Sequence, residues 1–259
     1  MTAGVDKLQY LQKVNLSKNQ IKALPNIDCE NLKYLNLEEN QISTCELTHH
    51  ENLKYLNLNK NKLKNGEGIA GLKSLEVLLL QENSITSCKG MRNLPNLKKL
   101  DLTGNKMERT HSLCDVPHVQ ELILDGNPIA SAKEYNRIAA LKHLVSLSMI
   151  GCPFADEKGD DFRKEVIISF HKALPNLKII NGEAWTPEEF EEAMNEIKAR
   201  EDAKAEEEAA KKAAIEAGEA EPAADPVEDE SAVEADVDEN GEAVPKRMLS
   251  EDELEALWY

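Results

Sequence analysis

The chain is poor in aromatic residues. Phenylalanine, tyrosine and tryptophan together make up 4% of its 259 residues, so a place where two of them meet is informative. It has no apolar run approaching the roughly 20 residues that cross a bilayer; residues 166–170 are the longest candidate. Its first ten residues, MTAGVDKLQY, lack the basic segment and apolar stretch of a secretory signal. Cysteine occurs five times, at 29, 45, 88, 114 and 152, an odd number without CxxC spacing. That pattern excludes a disulfide framework and a zinc-ribbon site and points to a reducing, cytoplasmic setting. The six histidines are scattered and form no ligand cluster with cysteine or aspartate. No glycine-rich phosphate loop and no nucleophile–base arrangement is present, so neither a cofactor nor an enzymatic activity is expected.

Charge is present in excess but unevenly. The formal net charge is −17. Residues 186–259 hold 26 acidic and 7 basic groups, leaving 22 acidic and 24 basic groups in 1–185. A near-neutral body therefore carries an acidic tail. Such a tail repels nucleic acid and anionic membrane, so neither is expected as a partner, and it favours basic protein surfaces.

The body is periodic. The phrases LQKVNLSKN, LKYLNLEEN, LKYLNLNKN, LEVLLLQEN, LKKLDLTGN and VQELILDGN end at Asn19, Asn40, Asn61, Asn83, Asn105 and Asn127. A seventh, LVSLSMIGC, puts Cys152 in the asparagine slot. An apolar residue follows two positions after each asparagine: Ile21, Ile42, Leu63, Ile85, Met107 and Ile129. The LxL alternation predicts a short strand with both leucines on one side. One such strand cannot bury its apolar face alone; stacking the phrases buries the leucines in a column and pairs the strands into a parallel sheet. The asparagine amide sits where the backbone turns and can satisfy backbone groups of neighbouring turns. Cys45 and Cys88 each follow a repeat asparagine by five residues, which marks a packing slot.

This pattern resembles the short, 22-residue type of leucine-rich repeat over residues 8–183. The resemblance implies an α/β solenoid of about seven repeats with a concave parallel sheet, a helical C-terminal cap and a surface suited to binding other proteins. A cap is visible over 156–184, where Phe162, Val166, Ile167, Phe170 and Leu174 recur at helical spacing before LPNLKIING. Asn127-Pro128 with Tyr135-Asn136-Arg137 lengthens the sixth repeat to 25 residues, which leaves room for helical turns. The N-terminal end shows no comparable cap, so Leu8 and Leu11 need cover from elsewhere.

The residues between the leucines are expected to face outward on the sheet. Tyr34, Asn36, Tyr55, Asn57, Val77, Leu79, Lys99 and Ile123 form the candidate partner-binding patch. Tyr34 and Tyr55 fall at the same position of successive phrases beside Val77 and Leu79, an apolar grouping on an otherwise polar row. A tyrosine ladder that only stabilises strand pairing is the competing explanation.

Three segments follow the body. Thr186-Pro187-Glu188-Glu189 combines a capping residue, proline at the first helical position and a capping-box glutamate. It opens a charged helix expected over 186–217, about 45 Å long, on which Phe190, Met194 and Ile197 share a face that packs on the cap. Residues 218–245 are acidic, with few large apolar groups, and read as a disordered linker. DVDENGE within them is no calcium loop, because its twelfth position would be Arg247. Residues 246–259 contain a second capping box and end in Leu254, Leu257, Trp258 and Tyr259, a short amphipathic segment that either docks on a partner or folds back on the solenoid.

The order of these features, with asparagine-proline and a Tyr-Asn-Arg segment, then LPNLKIING, then a long Glu/Ala/Lys helix, is similar to that of the leucine-rich-repeat radial-spoke family of motile cilia. That resemblance implies a structural component of the axoneme, cytoskeletal in location, whose partners are other proteins of a large assembly. The repeats also resemble acidic nuclear phosphoproteins that act as chaperones or phosphatase inhibitors, phosphatase regulatory subunits and dynein light chains.

Overall fold

A computed structural model describes residues 10–24, 29–47 and 50–216. In chain order its strands are β1 (Lys13–Asn15), β2 (Ala23–Leu24), β3 (Tyr34–Asn36), β4 (Thr44–Cys45), β5 (Tyr55–Asn57), β6 (Val77–Leu79), β7 (Lys99–Asp101), β8 (Glu121–Ile123), β9 (Ser146–Ser148), β10 (Ile179–Ile180) and β11 (Glu183–Ala184). The helices are α1 (Ala132–Asn136), α2 (Pro153–Lys158), α3 (Phe162–Phe170) and α4 (Pro187–Glu216). The chain divides into two compact units, Met1–Ala203 and Lys204–Tyr259, so the first part of α4 belongs with the repeats.

Each repeat phrase supplies one strand, and successive strands pair in identical register. Leu35 lies opposite Leu56, Leu56 opposite Leu78, and Leu78 opposite Leu100. The sheet runs β1-β3-β5-β6-β7-β8-β9-β10-β11, parallel until the closing β10–β11 pair, which is antiparallel. A parallel pair needs a long return connection, and the 21- to 22-residue period provides it. From β3 onward the leucines of each LxL point into the core and are sealed off from solvent, whereas Leu16 of the first phrase is half-buried.

The asparagines lock one turn to the next. Nδ2 of Asn61 donates to the carbonyls of Leu37 and Leu58, both at 3.0 Å, while its Oδ1 accepts from the Ile42 amide at 2.9 Å. Asn83, Asn105 and Asn127 repeat that geometry one turn further on each time. Each leucine carbonyl at the strand exit therefore accepts from two asparagines, its own and the next. Where Cys152 replaces asparagine, its thiol donates to the Leu124 carbonyl at 3.2 Å. A thiol offers no carbonyl acceptor, and the Ile129 amide turns to the Asn127 backbone carbonyl at 2.8 Å instead. Burial raises the thiol of Cys152 to about 11 and those of Cys45 and Cys88 to about 12, which suits packing residues.

The residue before each asparagine adopts positive φ. Lys18, Glu39, Lys60 and Glu82 do so in the first four phrases and Gly104, Gly126 and Gly151 in the next three. The turn imposes this left-handed conformation at every repeat, and glycine meets it without a Cβ penalty.

The C-terminal end is closed by aromatic packing. Tyr135 of α1, in the lengthened sixth repeat, is fully buried with ring centroids 4.6 Å from Phe154 of α2 and 4.7 Å from Phe170 of α3. Phe162, Val166, Ile167, Phe170 and Leu174 are all buried, as their helical spacing predicts. The cap starts earlier than 156, because Pro153 opens α2 directly after the Cys152 slot. The capping box of α4 forms as its sequence predicts: the Glu189 amide donates to Thr186 Oγ1 at 3.1 Å, and the Thr186 amide donates to Glu189 Oε2 at 2.7 Å.

One expected contact differs. Among the described side chains of α4, Ala193 and Ile197 are the buried ones, whereas Phe190 and Met194 remain 39% and 37% exposed. A face three to four residues wide brings Ala193 and Ile197 onto the same line, and this line meets the cap. Phe190 leans instead on Trp185, 6.0 Å between ring centroids. Leu8, the linker 218–245 and the segment 246–259 with Leu254, Leu257, Trp258 and Tyr259 lie outside the described residues.

Candidate protein-binding face

The outward row on the sheet begins with a tyrosine pair. Tyr34 and Tyr55 lie opposite one another on β3 and β5, with ring centroids 4.4 Å apart and planes inclined by 8°. Identical register makes the stack unavoidable, since neighbouring strands are about 4.8 Å apart. Val77 follows opposite Tyr55, and Lys99 and Glu121 continue the row as an ion pair at 2.5 Å. Two residues further along each strand runs a second row, Asn36, Asn57, Leu79, Asp101 and Ile123. The structure therefore brings the sequence-derived patch together on one face.

The patch is less open than the alternation suggests. Tyr34, Asn36, Tyr55, Val77, Leu79, Lys99 and Ile123 are half-buried, and Asn57 is buried, at 6% exposure. At the strand spacing, long side chains on adjacent strands cover one another, and the shorter Asn57 sinks between them. Burial, reinforced by Tyr34 and Glu38, raises the Tyr55 phenol above its ordinary range.

Asn57 is also tied down. Its Nδ2 donates to Glu38 Oε2 at 3.3 Å and its Oδ1 accepts from the Asn59 amide at 2.9 Å. Asn59 Oδ1 accepts from the Gln81 amide at 2.7 Å, and Gln81 Nε2 donates to Asp101 Oδ2 at 2.5 Å. Asp101 Oδ1 accepts from the amide and hydroxyl of Thr103. A continuous polar chain thus runs beside the apolar patch and fixes its side chains. Its signal is present in the sequence: asparagine or aspartate at the fifth position of a phrase folds back on the amide two residues on, as Asn15, Asn36, Asn57 and Asp101 all do.

Arg163 is a structural centre that periodicity alone does not mark. Its guanidinium grips the Glu189 carboxylate through Nε at 2.7 Å and Nη2 at 3.1 Å, and donates to the carbonyls of Ile180 and Ala184 at 2.8 and 3.0 Å. It therefore joins α3, the β10–β11 hairpin and the start of α4. The Arg163 guanidinium, with the Thr186 amide adding to it, holds the Glu189 carboxyl down at about 2 against the cost of burial. Further pairs, Lys164–Glu196 at 3.2 Å and Lys172–Glu201 at 3.1 Å, continue the seam along α4.

Among the described residues no group of three or more histidine, cysteine or acidic side chains is placed to hold a metal ion, and no helix is long and apolar enough to cross a membrane.

The family model for leucine-rich repeats (two copies) matches residues 11–49 and 73–110. A leucine-rich-repeat protein of Leptospira interrogans superposes with a TM-score of 0.56 at 28% identity, covering 68% of this chain and 44% of that one. An internalin of Listeria monocytogenes superposes with a TM-score of 0.51 at 21% identity, covering 67% of this chain and 48% of the internalin. The chain thus spans less than half the length of either. No curated protein matches it. The in-register strands, the asparagine ladder, the family model and these likenesses agree on a leucine-rich-repeat fold, an α/β solenoid with a mostly parallel sheet followed by helical segments.

Proposed function

We propose that this chain is a non-catalytic scaffold that receives a protein partner on the sheet face between Tyr34 and Ile123. Leucine-rich-repeat domains are in general protein-interaction modules. The observation that carries the reading is the stacked Tyr34–Tyr55 pair continuing into Val77 and Leu79, partly open to solvent in a chain with 4% aromatics. Tyrosine offers a large amphipathic contact area at little entropic cost, which suits a binding centre.

The finer reading is a structural part of the ciliary or flagellar axoneme, within the radial spoke, with other proteins of that assembly as partners. It is supported by the resemblance in the order of cap and charged helix, and α4 does follow the cap directly. The acidic tail would add contacts to basic protein surfaces, and Leu254, Leu257, Trp258 and Tyr259 a second docking point. The test is sedimentation with detergent-extracted axonemes from cells lacking the chain. The intact chain is expected to pellet; Tyr34→Ala with Tyr55→Ala is expected to remain soluble while keeping its circular dichroism spectrum. Failure of the intact chain to pellet contradicts the axonemal reading, and undiminished pelleting of the folded double variant contradicts the assigned face. Deleting 246–259 tests the second docking point in the same assay.

A further inference from the structure

The charges flanking the apolar row are segregated, which bears on what the partner looks like. Over β3 to β8, the positions at the strand entrances carry Lys33, Lys54, Lys98 and Lys99 against Glu76 and Glu121. Glu76 is already shared between Lys54 at 3.0 Å and Lys98 at 3.1 Å, and Glu121 is held by Lys99. At the strand exits the same repeats carry Glu38, Glu39, Glu82 and Asp125 against Lys60 alone, while Asp101 is buried and held by Gln81 and Thr103. Lys60 is paired with Glu39 at 3.5 Å. A basic rim and an acidic rim thus border Tyr34, Tyr55, Val77 and Leu79 on opposite sides.

The strand spacing selects the secondary structure that fits between the rims. Neighbouring strands are about 4.8 Å apart, and an α-helix advances about 5.4 Å per turn. A helix lying across the strands places one turn over each strand, and the mismatch grows to only about 2.4 Å from β3 to β8. An extended segment repeats its facing side chain every 6.6 Å or so and drifts out of step within two strands.

Resting on the sheet face being the binding site, we infer that the partner presents an amphipathic α-helix laid across the strands, its apolar stripe on the tyrosine–valine–leucine row, its acidic edge over the lysines at the strand entrances and its basic edge over the carboxylates at the exits. Reversing the helix exchanges its edges, so the same complementarity also sets the direction in which it binds.

Synthetic helical peptides of about 15 residues, long enough to cross β3 to β8, test this against the full chain by fluorescence anisotropy. One carries a leucine stripe with one acidic and one basic edge; a second has both edges acidic; a third has both basic. The split-charge peptide is expected to bind at least about tenfold more tightly than either other at low salt, since a few rim pairs at a few tenths of a kcal/mol each suffice. Lys33→Glu with Lys54→Glu is expected to transfer that preference to the doubly basic peptide. Equal binding of all three, abolished by Tyr34→Ala with Tyr55→Ala, overturns the helix inference and leaves the assigned face standing. Binding of no peptide overturns the inference, and binding indifferent to the tyrosines overturns both.

Discussion

Truncating two adjacent asparagines of the ladder should cost more than the sum of the single truncations. Asn83 is 7% exposed; its Nδ2 donates to the Leu58 and Leu80 carbonyls and its Oδ1 accepts from the Leu63 amide at 3.1 Å. In Asn83→Ala the Leu63 amide is orphaned in the core, which costs about 1–3 kcal/mol. The two carbonyls keep a partner each, because Asn61 still donates to Leu58 and Asn105 to Leu80. Losing one of two bonds at each adds about 0.5 kcal/mol apiece, for a total of roughly 2–4 kcal/mol. Adding Asn61→Ala removes the remaining donor to the Leu58 carbonyl, so a buried acceptor that survived either single change is now unpaired. A coupling of about 1–2 kcal/mol beyond additivity follows. Asn40 and Asn105 share no carbonyl, and that pair should be additive to within about 0.5 kcal/mol. Urea denaturation of the four single and two double variants reads both cycles. Additivity of the Asn61/Asn83 pair would refute the shared-acceptor ladder, as would equal coupling in the Asn40/Asn105 pair.

Tyr135→Phe should be neutral or stabilising by up to about 1 kcal/mol in thermal denaturation, because the buried Tyr135 Oη lies beside Ser169 without a well-formed hydrogen bond, the Ser169 hydroxyl being turned to Glu165 at 3.1 Å, and the ring packing is kept; a loss above about 1 kcal/mol would show the hydroxyl to be engaged. Glu189 titrates at about 2 when folded against an ordinary 4.5, so its contribution is complete above pH 4.5 and disappears as pH falls from 4.5 towards 2. With a third of its side chain exposed, that contribution is about 1–2 kcal/mol after solvent screening. The stability gap between the intact chain and Glu189→Gln should close across that window, and a gap that stays constant would contradict the Arg163 clamp. Gly68→Ala should lose several kcal/mol, since the added Cβ would collide with the Cys45 carbonyl at a φ of 84°. Gly104→Ala meets nothing closer than 3.5 Å and should lose only about 1 kcal/mol from its left-handed φ; equal losses in the two variants would contradict this reading.

The repeat made most of the fold legible, because one set of residue types recurs in one slot: leucines for the column, asparagines for the ladder, and the apolar residue two positions on. The α4 capping box was equally readable, since its signal is local. Depth on the sheet face was not. Alternation gives the side on which Asn57 lies, but its burial depends on Glu38 and Asn59 in the surrounding repeats. Arg163 escaped for a related reason. Its partners, at 180, 184 and 189, come together only when the hairpin folds against α3, and a lone arginine on a helix otherwise reads as a solvated charge. Likewise, nothing in the spacing of Phe190, Met194 and Ile197 reveals that the small Ala193 lies nearest the cap.

The assigned face is tested most directly by photo-crosslinking. A photoreactive phenylalanine analogue at position 55, on the sheet face, is compared with one at position 89, an exposed residue of a returning segment. Both forms are assembled into axonemes of cells lacking the chain and irradiated. Covalent capture of one discrete protein from position 55 and none from position 89 is the expected result. Capture from position 89 with silence at position 55 would contradict binding on the sheet face.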